Sequence, residues 1–204
     1  MKLASSYFNF YLSENLYTRY VLVLKKIYMK MLQSINAYSW EVLAEYQTLS
    51  DSELTEKIEL AHETFLTWRE TSFALRRELF YELAEILESR LDMCAKLQSL
   101  EMGMLIWPSR KGLEGTVKLM RWFADNAETY IWAEEFELNG TSGKYIYDPL
   151  GIIYGIGPWN FPFNQVLRAA VPNIIAGNTQ VYKHASNVPQ CALAIEKLFL
   201  DAGL

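Results

Sequence analysis

Apolar residues recur three and four positions apart through most of the first 130 residues, the spacing that gives a helix one oily face. Leu54, Ile58, Ala61, Phe65 and Trp68 mark the first such run. Ser50 and Glu53 precede it at the spacing of a capping box, in which each residue satisfies a free amide at the helix start. A second helix is expected from about Ser72, with Leu75, Leu79, Leu83, Ile86 and Leu87 inward. After a break it continues through Leu91, Cys94 and Leu97 to Glu101-Met102-Gly103. Pro108 opens a third, reaching about Tyr130, with Leu119, Trp122, Phe123 and Ala127 on its buried side. Ahead of these helices, Glu41–Tyr46 reads as strand.

The pattern changes after Glu137. Asn139-Gly140 and Ser142-Gly143 are turn signals, and Tyr145-Ile146-Tyr147 reads as strand. From Pro149 to Tyr182 the only charged side chain is Arg168. A membrane helix would also avoid charge, but Gly151, Gly155, Gly157, Pro158, Pro162 and Pro172 interrupt the run too often. Buried parallel strands with a helix packed between them suit it better. The expected order is strand Gly151–Gly157, helix Phe163–Ala176, strand Thr179–Lys183 and helix Pro189–Ala202. That is an α/β fold: a helical first half followed by a right-handed βαβ unit and one more helix.

Composition sharpens this division. All 10 glycines and all 6 prolines follow residue 102, so the turns that bring backbone amides to a ligand belong to the second half. The net charge of −5 argues against a nucleic-acid partner. Residues 1–30 nevertheless carry +4, from Lys2, Arg19, Lys25, Lys26 and Lys30 against Glu14, and hold seven Tyr or Phe. They read as an atypical basic and aromatic extension: an accessory tail, or sequence ahead of a start at Met29 or Met31. A targeting peptide and a membrane-surface helix are the alternatives. Its one aliphatic run, Val21–Leu24, is too short to span a membrane. Cys94 and Cys191 form no disulfide framework and no metal-ligand spacing. A reducing compartment is expected, the cytoplasm first and the mitochondrion second.

In a βαβ unit ligands bind beyond the carboxyl ends of the strands. The first strand runs out at Gly157-Pro158-Trp159-Asn160-Phe161-Pro162, where two prolines stiffen the backbone and the Asn160 carboxamide can donate to a developing oxyanion. The second ends at Lys183, the first charge after fourteen uncharged residues and a donor suited to ribose hydroxyls or phosphate. Cys191 shares a helix face with Ala194, Ile195 and Leu198, and Cys94 lies near Leu91 and Leu97, so both read as core. His62 reads as a helix-surface residue, His184 as a loop residue, and Glu134, Glu135 and Glu137 as a solvated run.

Pro158-Trp159-Asn160-Phe161-Pro162, Ala176-Gly177-Asn178 and Lys183-His184-Ala185-Ser186-Asn187-Val188-Pro189 resemble the aldehyde dehydrogenase superfamily. The last segment points to its succinate-semialdehyde dehydrogenase-like branch. The similarity runs from about Leu32 to Leu204 and includes Trp68-Arg69, Arg76 and Leu100-Glu101-Met102-Gly103. It implies the N-terminal part of a Rossmann-like cofactor-binding domain over residues 31–204, with Phe136–Leu150 corresponding to a hairpin that bridges subunits of a homo-oligomer. It also implies an oxidoreductase that converts a small aldehyde to its acid with NAD or NADP. Asn160 would be the oxyanion donor. Trp159 and the backbone of Ile156, Gly157 and Pro158 would line the nicotinamide-ribose end, and Lys183 would hold the adenosine ribose, with His184, Ala185 and Ser186 completing that turn. Ser186 stands where NAD-preferring relatives have an acid, and lacks the charge that would repel a 2′-phosphate.

The chain departs from the family at Asn36-Ala37-Tyr38-Ser39-Trp40-Glu41, where a Pro and a Gly usually shape the turn, and at Met104, usually a lysine. In the family the glycine-rich cofactor turn, the glutamate base and the cysteine nucleophile come later than Leu204, so these 204 residues alone are expected to be inactive. The alternative is a non-catalytic remnant or interaction module that pairs with full-length relatives.

Overall fold

The computed structural model describes residues 31–131 and 133–204, so the readings made for residues 1–30 lie outside it. Strands β1 (Met31–Ile35) and β2 (Val42–Gln47) form an antiparallel hairpin with a register shift between Ser34 and Ile35. Four helices follow: α1 (Asp51–Trp68), α2 (Phe73–Ser89), α3 (Leu91–Met102) and α4 (Ile106–Tyr130). A second antiparallel hairpin pairs β3 (Glu134–Leu138) with β4 (Thr141–Tyr145). The chain then runs through β5 (Ile152–Ile156), α5 (Pro162–Ile175), β6 (Thr179–Lys183) and α6 (Pro189–Asp201), with β5 and β6 parallel. The main core lies where α2, α3, α4, α5 and α6 converge, around Phe80, Leu87, Met120, Phe163 and Leu198.

Local signals set the element boundaries. The capping box forms: the Glu53 amide donates to Ser50 Oγ and the Ser50 amide donates to the Glu53 carboxylate at 2.7 Å. Ser72 caps α2, and the break before α3 falls at Arg90. Helix α4 begins two residues ahead of Pro108, because the first-turn amides of a helix have no intrahelical acceptor and tolerate a proline there. The second hairpin places its strand at Thr141–Tyr145, earlier than Tyr145–Tyr147, and the acidic run becomes its exposed first strand.

Three helix faces differ from the periodic expectation. On α4 the buried positions are Leu113, Val117, Met120, Ala124 and Ala127, while Trp122 is 46% exposed against Phe123 and Tyr130. Small side chains let α4 approach its neighbours, and the large rings flank the contact. On α1 only Phe65 is buried, with Leu54 and Ile58 left open. On α2, Arg76, Phe80 and Ala84 join Leu83 and Leu87 in the interior, and Leu75 stays out.

Arg76 links distant elements. Its guanidinium donates to the carbonyls of Trp68 and Arg69 at the end of α1, to Ile175 O at the end of α5, and to Thr71 Oγ1. The cation thus meets two helix carboxyl ends, where the backbone dipoles are negative. Gly177 takes φ 97°, and a Cβ there would come within 3.1 Å of Arg76 Nη1. Asn178 next to it accepts the Leu150 and Gly151 amides and donates to Asn173 O, fixing where β5 starts relative to α5.

Candidate functional site

In the parallel pair Ile156 lies opposite Lys183, so both strands end at one sheet edge. The Gly157 amide donates to Lys183 O at 3.0 Å and extends the pairing by one residue. Loops 158–161 and 184–188 then leave the edge side by side and lead into α5 and α6. Asn160 and Ser186 on these loops and Lys183 at the end of β6 are exposed, and among the described residues their side-chain polar groups have no hydrogen-bond or ion-pair partner. Ile156 and Trp159 are also open, 67% and 53% exposed, and make an apolar shelf beside those donors.

Gly157 serves a neighbour. A Cβ there would lie 2.8 Å from the Tyr182 ring, and one at Gly155 would lie 2.2 Å from it, so this strand is bare to admit the tyrosine. His184 is engaged as well: Nε2 lies 2.9 Å from Pro162 O, and Nδ1 accepts the Ala185 amide at 2.7 Å. Burial holds this imidazole below its ordinary pKa, so it is neutral at neutral pH.

The two helix starts at this edge differ. No side chain caps α5, which begins with Pro162. At α6 the N-cap Val188 has nothing to offer, and Glu101 does its work from α3: its buried carboxylate accepts the Gln190 amide at 2.9 Å and the Cys191 amide at 2.8 Å. The anion-attracting start of α6 is therefore already occupied by a carboxylate, whereas the start of α5 has no side-chain cap. Both cysteines are fully buried; burial pushes the Cys94 thiol up to about 11 and the Cys191 thiol well above its usual range. Neither is a thiolate poised for attack.

The chain that builds this edge is similar to proteins of known class. The aldehyde dehydrogenase family model matches residues 25–204. The chain belongs to the aldehyde dehydrogenase family. It is 41% identical over 170 residues to a probable succinate-semialdehyde dehydrogenase (NADP+) of Synechocystis, covering 83% of this chain and 37% of that protein. It is 36% identical over 173 residues to succinate-semialdehyde dehydrogenase (NADP+) 1 of Mycobacterium tuberculosis, covering 83% and 38%. Among solved structures, the succinic semialdehyde dehydrogenase of Streptococcus pyogenes in complex with NADP+ superposes with a TM-score of 0.82 at 30% identity, covering 85% of this chain and 38% of that one. This aldehyde dehydrogenase chain thus spans under two-fifths of the length of these relatives, and its fold is the N-terminal α/β part of theirs.

Two residues of the site escape motif reading. Glu101 falls in line with Leu91, Cys94 and Gln98 on the buried side of α3, and a charge at such a position signals a partner elsewhere. Arg168, the lone charge of its stretch, is exposed on α5 and has no ion pair or hydrogen bond among the described residues. It lies one turn beyond Asn164, whose amide donates to Thr116 Oγ1, so that face of the helix looks toward α4.

Proposed function

We propose that this chain supplies the oxyanion donor and one wall of the cofactor site of an NAD(P)-dependent aldehyde dehydrogenase acting on an aldehyde that carries a carboxylate, in the class of succinate semialdehyde. The observation that carries the reading is unengaged Asn160, on the loop after β5, beside unengaged Lys183, at the end of β6, at one parallel-strand edge in a member of this family.

The residues present fit a dinucleotide. Lys183 and Ser186 offer donors to ribose hydroxyls or a phosphate, while Ile156 and Trp159 offer a flat apolar surface beside them. Ser186 puts no negative charge against a 2′-phosphate, which favours NADP alongside NAD. When bound, the cofactor accepts hydride from the aldehyde carbon. Asn160 directs its carboxamide N–H at the carbonyl oxygen as negative charge gathers there. Arg168 stands about 10 Å farther along α5, from the helix rise per residue, and its guanidinium is suited to a carboxylate at the far end of a short substrate. The attacking thiolate is neither Cys94 nor Cys191, since both are packed in the core with raised pKa values. These 204 residues alone therefore bind but do not turn over.

A ¹⁵N-labelled sample of the protein titrated with NADP+ and then NAD+ tests this. Amide shifts should centre on Trp159, Lys183 and Ser186 and vanish in Lys183→Ala, with no reduction of NADP+ when succinate semialdehyde is added. A titration that leaves those amides still, or clear aldehyde-dependent turnover, sinks the corresponding half of the proposal.

A second reading is an interaction module. Phe136, Leu138 and Tyr145 of the second hairpin are all open, the surface a subunit-bridging hairpin would present to another copy or to a longer relative. An increase in particle mass on mixing with the full-length Synechocystis relative would favour it.

A further inference from the structure

One side chain joins the two loops of the edge. His184 Nε2 faces Pro162 O, which can only accept, so Nε2 carries the proton. Nδ1 receives the Ala185 amide, so it must be bare. A single neutral tautomer satisfies both contacts. An imidazolium cannot, because Nδ1 would then present a proton to another donor. The ring has no nitrogen left for a ligand or for proton transfer at the open edge.

We infer that His184 is a positioning residue: through Nε2 it latches the Lys183–Ser186 turn to the first turn of α5, setting the separation between Lys183 and Asn160, and protonation of the ring costs Nδ1 the Ala185 amide and displaces that turn. The inference deepens the proposed cofactor site and rests on it for its consequence, though not for its geometry. Pro162 follows Asn160 by two residues and opens α5, so a pull on its carbonyl is a pull on the oxyanion loop. Two charged side chains act on the ring, Glu101 of α3 and Lys183 of β6. The Tyr182 ring of β6 lies 6.5 Å away, and a Cβ at Gly157, just past β5, would lie 3.6 Å from the imidazole. Burial and Lys183 favour the neutral ring, while the Pro162 bond and Glu101 oppose them, and burial dominates.

The test needs only the 204-residue protein with ¹⁵N label. Imidazole nitrogens and backbone amides are followed from mildly alkaline to mildly acidic pH, with His62→Gln to assign the two rings. His184 should carry its proton on Nε2 and titrate below the ordinary histidine value of about 6.5. The amides of Ala185, Ser186 and residues 160–164 should move with the midpoint of that ring. His184→Gln keeps a donor toward Pro162 and should abolish the transition while leaving the Asn160 loop in place. An Nδ1–H tautomer, a ring titrating at or above the ordinary histidine value, or an Asn160 loop indifferent to the transition each overturns the latch. NADP+ added to the same sample addresses the cofactor site separately. If it binds, its Kd should rise about fivefold to tenfold across the His184 transition, the worth of roughly one hydrogen bond. If Lys183 and Ser186 ignore it, the nucleotide reading falls and the latch stands on tautomer and midpoint alone.

Discussion

Trp40 sits at φ 62°, the left-handed region that side chains with a Cβ enter at a cost of about 1–2 kcal/mol. The turn around it is still built: Asn36 Oδ1 accepts the Tyr38 and Ser39 amides, and the Trp40 amide returns to Asn36 O at 2.8 Å. A tryptophan thus occupies a left-handed position that glycine would take without strain. Its ring is 79% exposed and contributes little packing in exchange. Trp40→Gly should therefore stabilise the protein by roughly 0.5–1 kcal/mol, after glycine's greater unfolded-state entropy is set against the relieved strain. A rise in the urea midpoint at unchanged slope would show it. His184 makes a second prediction at this scale. Its folded pKa lies below the ordinary 6.5 of the unfolded chain. Below that pH the unfolded chain takes up a proton that the folded chain resists, so stability falls with pH until the depressed folded value is passed. Urea midpoints across this range should slope for the wild type and flatten in His184→Gln.

Between elements, long-range polar contacts decide how helices meet. Arg76 holds the end of α1 and the end of α5 through carbonyls of Trp68, Arg69 and Ile175, and no carboxylate hydrogen-bonds to it among the described residues. Lysine in its place keeps the charge but loses the planar fork, leaving buried carbonyls unserved. Arg76→Lys should cost roughly 2–3 kcal/mol, read from the chemical-denaturation midpoint. Such contacts mark the limit of what the sequence discloses. The capping box at Ser50, the βαβ unit and the core role of both cysteines are local patterns, and each was legible. Arg76 with Ile175 and Glu101 with Cys191 join residues 99 and 90 positions apart, and no window of sequence contains both partners. The buried stripe of α4 was misjudged for a related reason. Ala127 is buried as its spacing predicts, but ring size pointed to Trp122, whereas the close approach of neighbouring helices favours Ala124.

At the scale of the whole molecule, three apolar surfaces lack a partner among the described residues: the second hairpin, strand β5 at Tyr154 and Ile156, and α1 at Leu54 and Ile58. Parallel strands are ordinarily covered on both faces, and a two-stranded hairpin is marginal alone in water. The hairpin is the case that can be isolated. Every residue of β3 is exposed, and its local support is Phe136 on Tyr145, centroids 4.8 Å apart, with Gly143 bare beneath the Phe136 ring. A partner surface would cover Leu138 and Tyr145 together, while the β5 and α1 surfaces would stay open to dye. The protein should thus bind a hydrophobic dye and run in sedimentation above its 23.7 kDa monomer mass. Leu138→Lys should return it toward monomer mass with most of the dye signal kept, because the substitution charges the hairpin and leaves β5 and α1 untouched. If instead the mass holds and Ile156→Lys lowers it, association runs through the sheet edge, and the hairpin is not the bridge.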